Sequence, residues 1–210
     1  MKNNLKLSIL FALFIGLLVG MNLMGAKITT LLGISVSVGI FMTPLTFLIT
    51  DIVEEVYGKN EVKNFIISGI ITLAIIFLYT ALFVKLSPHQ RYTFNNEYVT
   101  IFKASLRMTF ASLIAFALAQ LNDMLVFAWV KKKTKGKLLW LRNNVSTIIS
   151  QLIDTFVFMM IAFYGMTPKF TLGFIISLTI PYYLFKVAFA LLDTPFVYLG
   201  VKWLKGKENN

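Results

Sequence analysis

The stretch "LITDIVEEVYGKN", residues 48–60, sets Asp51, Glu54 and Glu55 directly behind an apolar run. Two further stretches carry acids at matched spacing. "QLNDMLVF" (120–127) and "QLIDTFVF" (151–158) share the pattern Q-L-x-D-x-x-V-F. Gln120 with Asp123, and Gln151 with Asp154, are each three residues apart and share a helix face. A second echo pairs "DIVEEVYG" (51–58) with "DTPFVYLG" (193–200) and adds Asp193. Such faint internal repetition is frequent in transporters. These side chains accept and donate hydrogen bonds, which suits a polar cavity or pathway. Cys-based or His-based chemistry is disfavoured: there is no cysteine and one histidine, His89. Neither a Walker A motif nor G-x-G-x-x-G occurs, so the chain by itself does not hydrolyse ATP, and no cofactor or metal is expected.

The elements that must position these residues are membrane helices. The chain has 210 residues, 58% hydrophobic and only 14% charged, with a mean hydropathy of +0.78. A soluble domain is about 45–50% apolar and about 25% charged. The basic N-terminus precedes an apolar run with no small-residue cleavage site, so it reads as a first transmembrane helix rather than a removed signal. Six spans of sufficient length follow the hydropathy, at about 5–25, 35–57, 62–86, 104–130, 142–165 and 171–203. The start of the second is ambiguous, since "ITTLLGISVSVG" also reads as a loop or re-entrant segment. Pro44 and Pro181 stand where they can kink their helices. The expected fold is an all-α, six-helix membrane bundle, with residues 1–210 forming one transporter domain.

The net charge of +11 resides mostly in short loops, which points to topology and not to a nucleic-acid partner. Thirteen Lys and Arg fall on one side of the six spans and six on the other. The positive-inside rule then places both termini in the cytoplasm of a cell (inner or plasma) membrane protein. The loop 87–102, "SPHQRYTFNNEYVTIF", faces outward as an interfacial loop, with His89 as an ordinary loop residue.

Depth can be counted at about 1.5 Å per helical residue. Asp51 lies about 12 Å from the cytoplasmic edge, Asp123 about 12 Å, Asp193 about 13 Å and Asp154 about 18 Å. Four aspartates on four helices thus share a layer, with Gln120 and Gln151 nearby. Asn22 and Lys186 lie deeper, at about 24 Å. Ionisable groups within the membrane mark pathways and sites. The alternative is interhelical bonding that holds the bundle, at an average of about 0.6 kcal/mol per bond. Glu54 and Glu55 fall at the cytoplasmic mouth. Neutralisation of Lys59, Lys63 and the "KKKTK" loop is an equal reading of these two acids.

"PLTFLITDIVEEVYGKN" (44–60) resembles a signature of the queuosine precursor transporters, the VUT family. "LWLRNNVSTIISQLIDTFVFMMIAFYG" (139–165) resembles the second signature, with Arg142 and Asn143 ahead of Gln151 and Asp154. "SLRMTFASLIAFALAQLNDMLVF" and "KVAFALLDTPFVYLG" also fit, "MNLMGAKI" more loosely through Asn22, and the resemblance covers about 5–201. Position 54 departs from the pattern: it is Glu where Asn is frequent.

The resemblance implies import of 7-deazaguanines such as 7-cyano-7-deazaguanine or its aminomethyl form. One carboxylate can accept the ring N–H and exocyclic amine of such a base together. Phe127, Phe156, Phe158 and Tyr57 are candidates to stack on it, although Phe in a membrane helix more often faces core or lipid. An intramembrane protease, suggested by "EEVYGK", lacks the histidines it needs in any expected span. A substrate-binding subunit of an energy-coupling-factor transporter is the remaining rival. Ser8, Ala12, Gly16 and Gly20 form a small-residue stripe on which a partner helix could dock, and internal packing explains the stripe equally. The expected partners are the 7-deazaguanine substrate and the lipid bilayer, and a homo-oligomer is compatible with the sequence. A reporter fused after Asn210 is expected to read cytoplasmic; an external signal would overturn the orientation drawn from the lysine and arginine distribution.

Overall fold

The apolar run behind the basic N-terminus forms α1, Lys2–Met24, in a computed structural model that describes residues 2–31, 33–135 and 139–205. Beyond α1 the ambiguous segment is a β-hairpin. β1 (Ile28–Leu31) pairs antiparallel with β2 (Ile34–Ser37), with Ile28 opposite Ser37 and Leu31 opposite Ile34. β-branched residues favour the strands, and Gly33 supplies the positive φ of 80° in the tight connection. Ser37 ties the hairpin to α1. Its hydroxyl donates to the Gly25 carbonyl at 2.6 Å and accepts from the Gly39 amide at 3.2 Å.

A 3-10 turn, Val38–Phe41, leads into α2, Thr43–Tyr57. The second span is therefore not a helix from 35, as expected. Pro44 sits in the first turn of α2, where no N–H is needed, so it starts the helix instead of kinking it. The 15 residues of α2 rise only about 22 Å, less than the hydrocarbon core of about 30 Å. Gly58, with φ 84°, both ends α2, its amide N–H donating to the Glu54 carbonyl at 2.8 Å, and starts α3, Lys59–Phe83.

α4 runs from Asn95 to Lys133, so the second half of the expected outward loop is helix. Glu97 in its first turn complements the positive helix end. His89 lies in the remaining loop, its Nδ1 accepting from the Arg91 amide at 3.2 Å. α5 spans Leu139–Phe163 and α6 Leu172–Leu192. The sixth span does not continue as one helix: it breaks at Asp193, and α7 follows at Thr194–Lys205. Pro181 remains inside α6. Among the described residues, four helices are long and apolar enough to cross a membrane, within α1, α3, α4 and α6, and α5 contributes a shorter apolar stretch, Ile148–Phe163. The protein is an all-α membrane protein with one small hairpin.

The chain forms two compact units. The first is Met1–Thr109 with Leu184–Asn210, the second Phe110–Tyr183. The core of the first unit joins α1, α2, α3 and α7 through Leu10, Phe14, Ile52, Val53, Phe65 and Leu204. Phe65 is 2% exposed, its ring centroid 5.0 Å from that of Phe11 and 5.8 Å from that of Phe14. α3 approaches α1 closely at Gly69, where an added Cβ would stand 2.6 Å from Leu18 Cδ2 and 3.3 Å from Phe14 Cε1. In the second unit Met159 and Phe163 of α5 and Ile175 and Leu178 of α6 are buried. The Tyr183 hydroxyl donates to the Ile148 carbonyl at 3.4 Å.

Gly69→Leu is expected to overpack the α1–α3 contact and cost about 1–3 kcal/mol, read as a lower melting temperature in detergent. Gly16→Ala, where nothing lies within 4 Å, should melt as the unaltered protein does. Equal melting of both variants would contradict this packing.

Candidate functional site

The break between α6 and α7 follows from "DTP", residues 193–195. Pro195 has no amide hydrogen, so the carbonyl one turn earlier, that of Leu191, receives no helical bond from it. The chain recovers at once: the Asp193 carbonyl accepts from the amides of Phe196 at 2.8 Å and Val197 at 3.0 Å. Asp193 is thus held at a helix discontinuity, 3% exposed. Its Oδ2 is buried with no hydrogen-bond donor among the described residues.

α7 returns alongside α2. Gly200 lies against Ile52, and a Cβ at 200 would run into the Ile52 side chain. Farther along, the Lys6 ammonium of α1 donates to the Trp203 carbonyl and lies 5.3 Å from the Trp203 ring centroid. Leu204 is buried in the same core as Ile52 and Val53. This packing sets the Asp51 side chain of α2 near that of Asp193. Asp51 is exposed where Asp193 is buried, so the pair forms a site with an open rim and a closed floor. Glu54, one turn on, adds a second negative charge near Asp51. Thr46 and Thr50 stand on the preceding turns of α2, their hydroxyls donating to backbone carbonyls within the helix.

The other residues singled out in the sequence fall in several places. Asn22 is 3% exposed in α1, its side-chain amide donating to the Leu18 carbonyl at 2.8 Å. Glu54 is 4.0 Å from Lys59 in a surface ion pair, and Glu55 is exposed. Lys186 is half-buried on α6, two turns before Asp193. Asp154 and Gln151 are half-buried on α5 in the second unit. Gln151 Oε1 is buried without a hydrogen-bond partner among the described residues. The side chains of Gln120, Asp123, Arg142 and Asn143 lie outside the described residues, as does that of Phe127. Of the four aspartates, the structure joins Asp51 and Asp193.

Among the proposed stacking rings, Phe158 is engaged edge-on with Phe163 at 6.3 Å, while Tyr57 and Phe156 are exposed. Sequence reading missed Asn122, whose Oδ1 is likewise buried and has no hydrogen-bond partner among the described residues. It occupies the variable place of Q-L-x-D-x-x-V-F, where attention to the matched positions passed over it. Of the small-residue stripe, Ser8, Ala12 and Gly16 lie on the exposed side of α1, whereas Gly20 is half-buried, with a Cβ there standing 3.2 Å from Met42 Sδ.

A family model described as "Putative vitamin uptake transporter" matches residues 37–200. A "Probable queuosine precursor transporter" of Bacillus subtilis (strain 168) is 30% identical over 190 residues, covering 90% of this chain and 82% of that protein. A protein of the same description from Haemophilus influenzae (strain ATCC 51907 / DSM 11121 / KW20 / Rd) is 27% identical over 150 residues, covering 71% and 61%. No solved structure matches the chain. The matched region runs from the end of the hairpin into α7 and includes both Asp51 and Asp193, and the chain belongs to this vitamin uptake transporter family of multi-pass membrane proteins.

Proposed function

We propose that this protein imports queuosine precursors, 7-deazaguanines such as 7-cyano-7-deazaguanine or its aminomethyl form, across the cell membrane for tRNA modification. The observation that carries this reading, beside the kinship, is the nature of its unpartnered polar atoms. The three buried side-chain atoms without a bond among the described residues are Asp193 Oδ2, Asn122 Oδ1 and Gln151 Oε1. All are oxygens. A buried acceptor without a donor costs about 1–3 kcal/mol, so Asp193 Oδ2 in the first unit, and Asn122 Oδ1 and Gln151 Oε1 in the second, each suit an N–H donor. A guanine-like base carries a ring N–H beside an exocyclic amine, a pair that one carboxylate accepts side by side.

The protein acts as a transporter and not as an enzyme, without a cofactor, and the whole chain serves as one transport domain. It crosses the membrane six times with both termini in the cytoplasm. The second crossing combines the 3-10 turn with α2, which end to end approach about 30 Å. The sixth combines α6 with α7. The exposed small-residue side of α1 supports a second reading, a substrate-binding subunit that docks on an energy-coupling scaffold. Transport by the chain alone separates the two.

The chain alone, expressed in cells that neither make nor import 7-deazaguanines, is expected to restore queuosine in tRNA when 7-cyano-7-deazaguanine is supplied. No restoration with the protein present in the membrane would favour the docking subunit or another substrate. In the same cells Asp51→Asn and Asp154→Asn should each cut uptake by about tenfold or more, the effect of losing one charge-assisted hydrogen bond. Membrane expression of both should be normal. Unimpaired uptake by both variants would remove the acidic residues from the site.

A further inference from the structure

α7 has two unlike sides. Val197, Val201 and Leu204 recur at helical spacing and pack into the core of the first unit, with Gly200 among them against Ile52. On the other side Phe196, Tyr198, Leu199 and Trp203 are exposed. The sequence from Thr194 to Val201 carries no charge, and Lys202 and Lys205 follow in the last turn. An apolar side that ends in tryptophan and lysine marks a helix leaving the hydrocarbon. The indole sits at headgroup level, and the ammonium groups reach past it to the polar layer.

A second helix adds to this end. The Lys6 ammonium of α1 donates to the Trp203 carbonyl and stands 5.3 Å from the Trp203 ring centroid. Lys202 and Lys205, three residues apart, share a helix face beside Trp203, and both are exposed. We propose that Lys6, Lys202, Lys205 and Trp203 form a binding site for the phosphate headgroup of an anionic phospholipid, whose acyl chains lie along the exposed side of α7 at Phe196 and Leu199.

Helix electrostatics accounts for part of the cluster. Lys202 and Lys205 complement the negative C-terminal end of α7. Lys6 lies near the N-terminus of α1, where a cation gains nothing from the helix dipole. The positive-inside rule concerns how many lysines lie on a side, and not their gathering around one indole. Three like charges brought together repel, and a phosphate relieves that repulsion. Ammonium groups and the indole N–H are donors only, and phosphate oxygens are acceptors. The headgroup of a lipid fits better than a soluble anion because the apolar side of α7 runs directly into the cluster, and only a lipid uses both. Each lysine beside an anionic headgroup strengthens binding about fivefold. A lipid held here touches α1 and α7 together and so braces the contact that Lys6 makes with Trp203.

The test is native mass spectrometry of the full chain in detergent, with phosphatidylglycerol and phosphatidylcholine of equal chain length supplied together. Phosphatidylglycerol should be retained over phosphatidylcholine by about tenfold or more. Lys202→Gln with Lys205→Gln should lower that ratio about tenfold. Lys132→Gln with Lys135→Gln, which removes two exposed lysines of the second unit, should leave it unchanged. Equal retention of the two lipids by the unaltered chain, or equal losses in the two double variants, would overturn the site. Displacement of the lipid by excess inorganic phosphate would assign the cluster to a soluble anion and overturn the lipid. A second measurement keeps every lysine in place. With Trp129→Phe and Trp140→Phe, Trp203 is the one remaining tryptophan. In nanodiscs its fluorescence should be quenched more by brominated phosphatidylglycerol than by brominated phosphatidylcholine at the same mole fraction, and equal quenching would overturn the site whatever the fate of the lysine variants.

Discussion

A carboxyl group inside a lipid-embedded bundle must find a hydrogen, a cation or water, because hydrocarbon offers none of them. The meeting of Asp51 and Asp193 is this protein's response to that constraint, and much of the first unit serves to arrange it. α2 has to end near Gly58 so that Asp51 lies below the membrane edge. α7 has to lie against α2, which the absent side chain at Gly200 permits. The core of Ile52, Val53, Phe65 and Leu204 holds both helices against α1 and α3. Lys6 of α1 and Trp203 of α7 anchor the far end of the same packing.

The helix break has the same logic. Irregular backbone at membrane depth is tolerated where it is buried in protein or lines a cavity. Pro195 removes a donor, and the Asp193 carbonyl takes the next two amides in the new register. A transporter gains from such a break, since helix ends expose polar backbone beside the site in a way that a continuous helix does not. The short α2 and short α7 are then related features. Each is too brief to cross the hydrocarbon core by itself, α2 carries Asp51 while Asp193 immediately precedes α7, and the two helices pack together. The faint echo between "DIVEEVYG" and "DTPFVYLG" belongs to these two helices.

The second unit shows a different use of polarity. Its threonines and serines mostly return their hydroxyls to their own helix, as Thr155 does to the Gln151 carbonyl at 2.8 Å, which satisfies them without a partner. Asn122 and Gln151 instead keep buried oxygens without a donor among the described residues. Unspent acceptors of this kind are costly to bury, and they distinguish candidate ligand contacts from residues that only secure packing.

Much was legible in the sequence for a physical reason: lipid enforces long apolar helices, so composition alone established the class and most of the spans. The family was readable from motifs around Asp51 and Asp154. The hairpin at 28–37, the late start of α2 and the early start of α4 were not, since hydropathy averages over a window and is blind to a four-residue strand. Pro44 and Pro195 were informative only once their positions within a turn were known, one starting a helix and the other breaking one. Depth counting along separate helices grouped four aspartates, because rise per residue gives height and not direction. Which of them meet depends on how helices turn about their axes and how closely they approach. For Asp51 and Asp193 that was decided by tertiary packing, through Gly200 against Ile52.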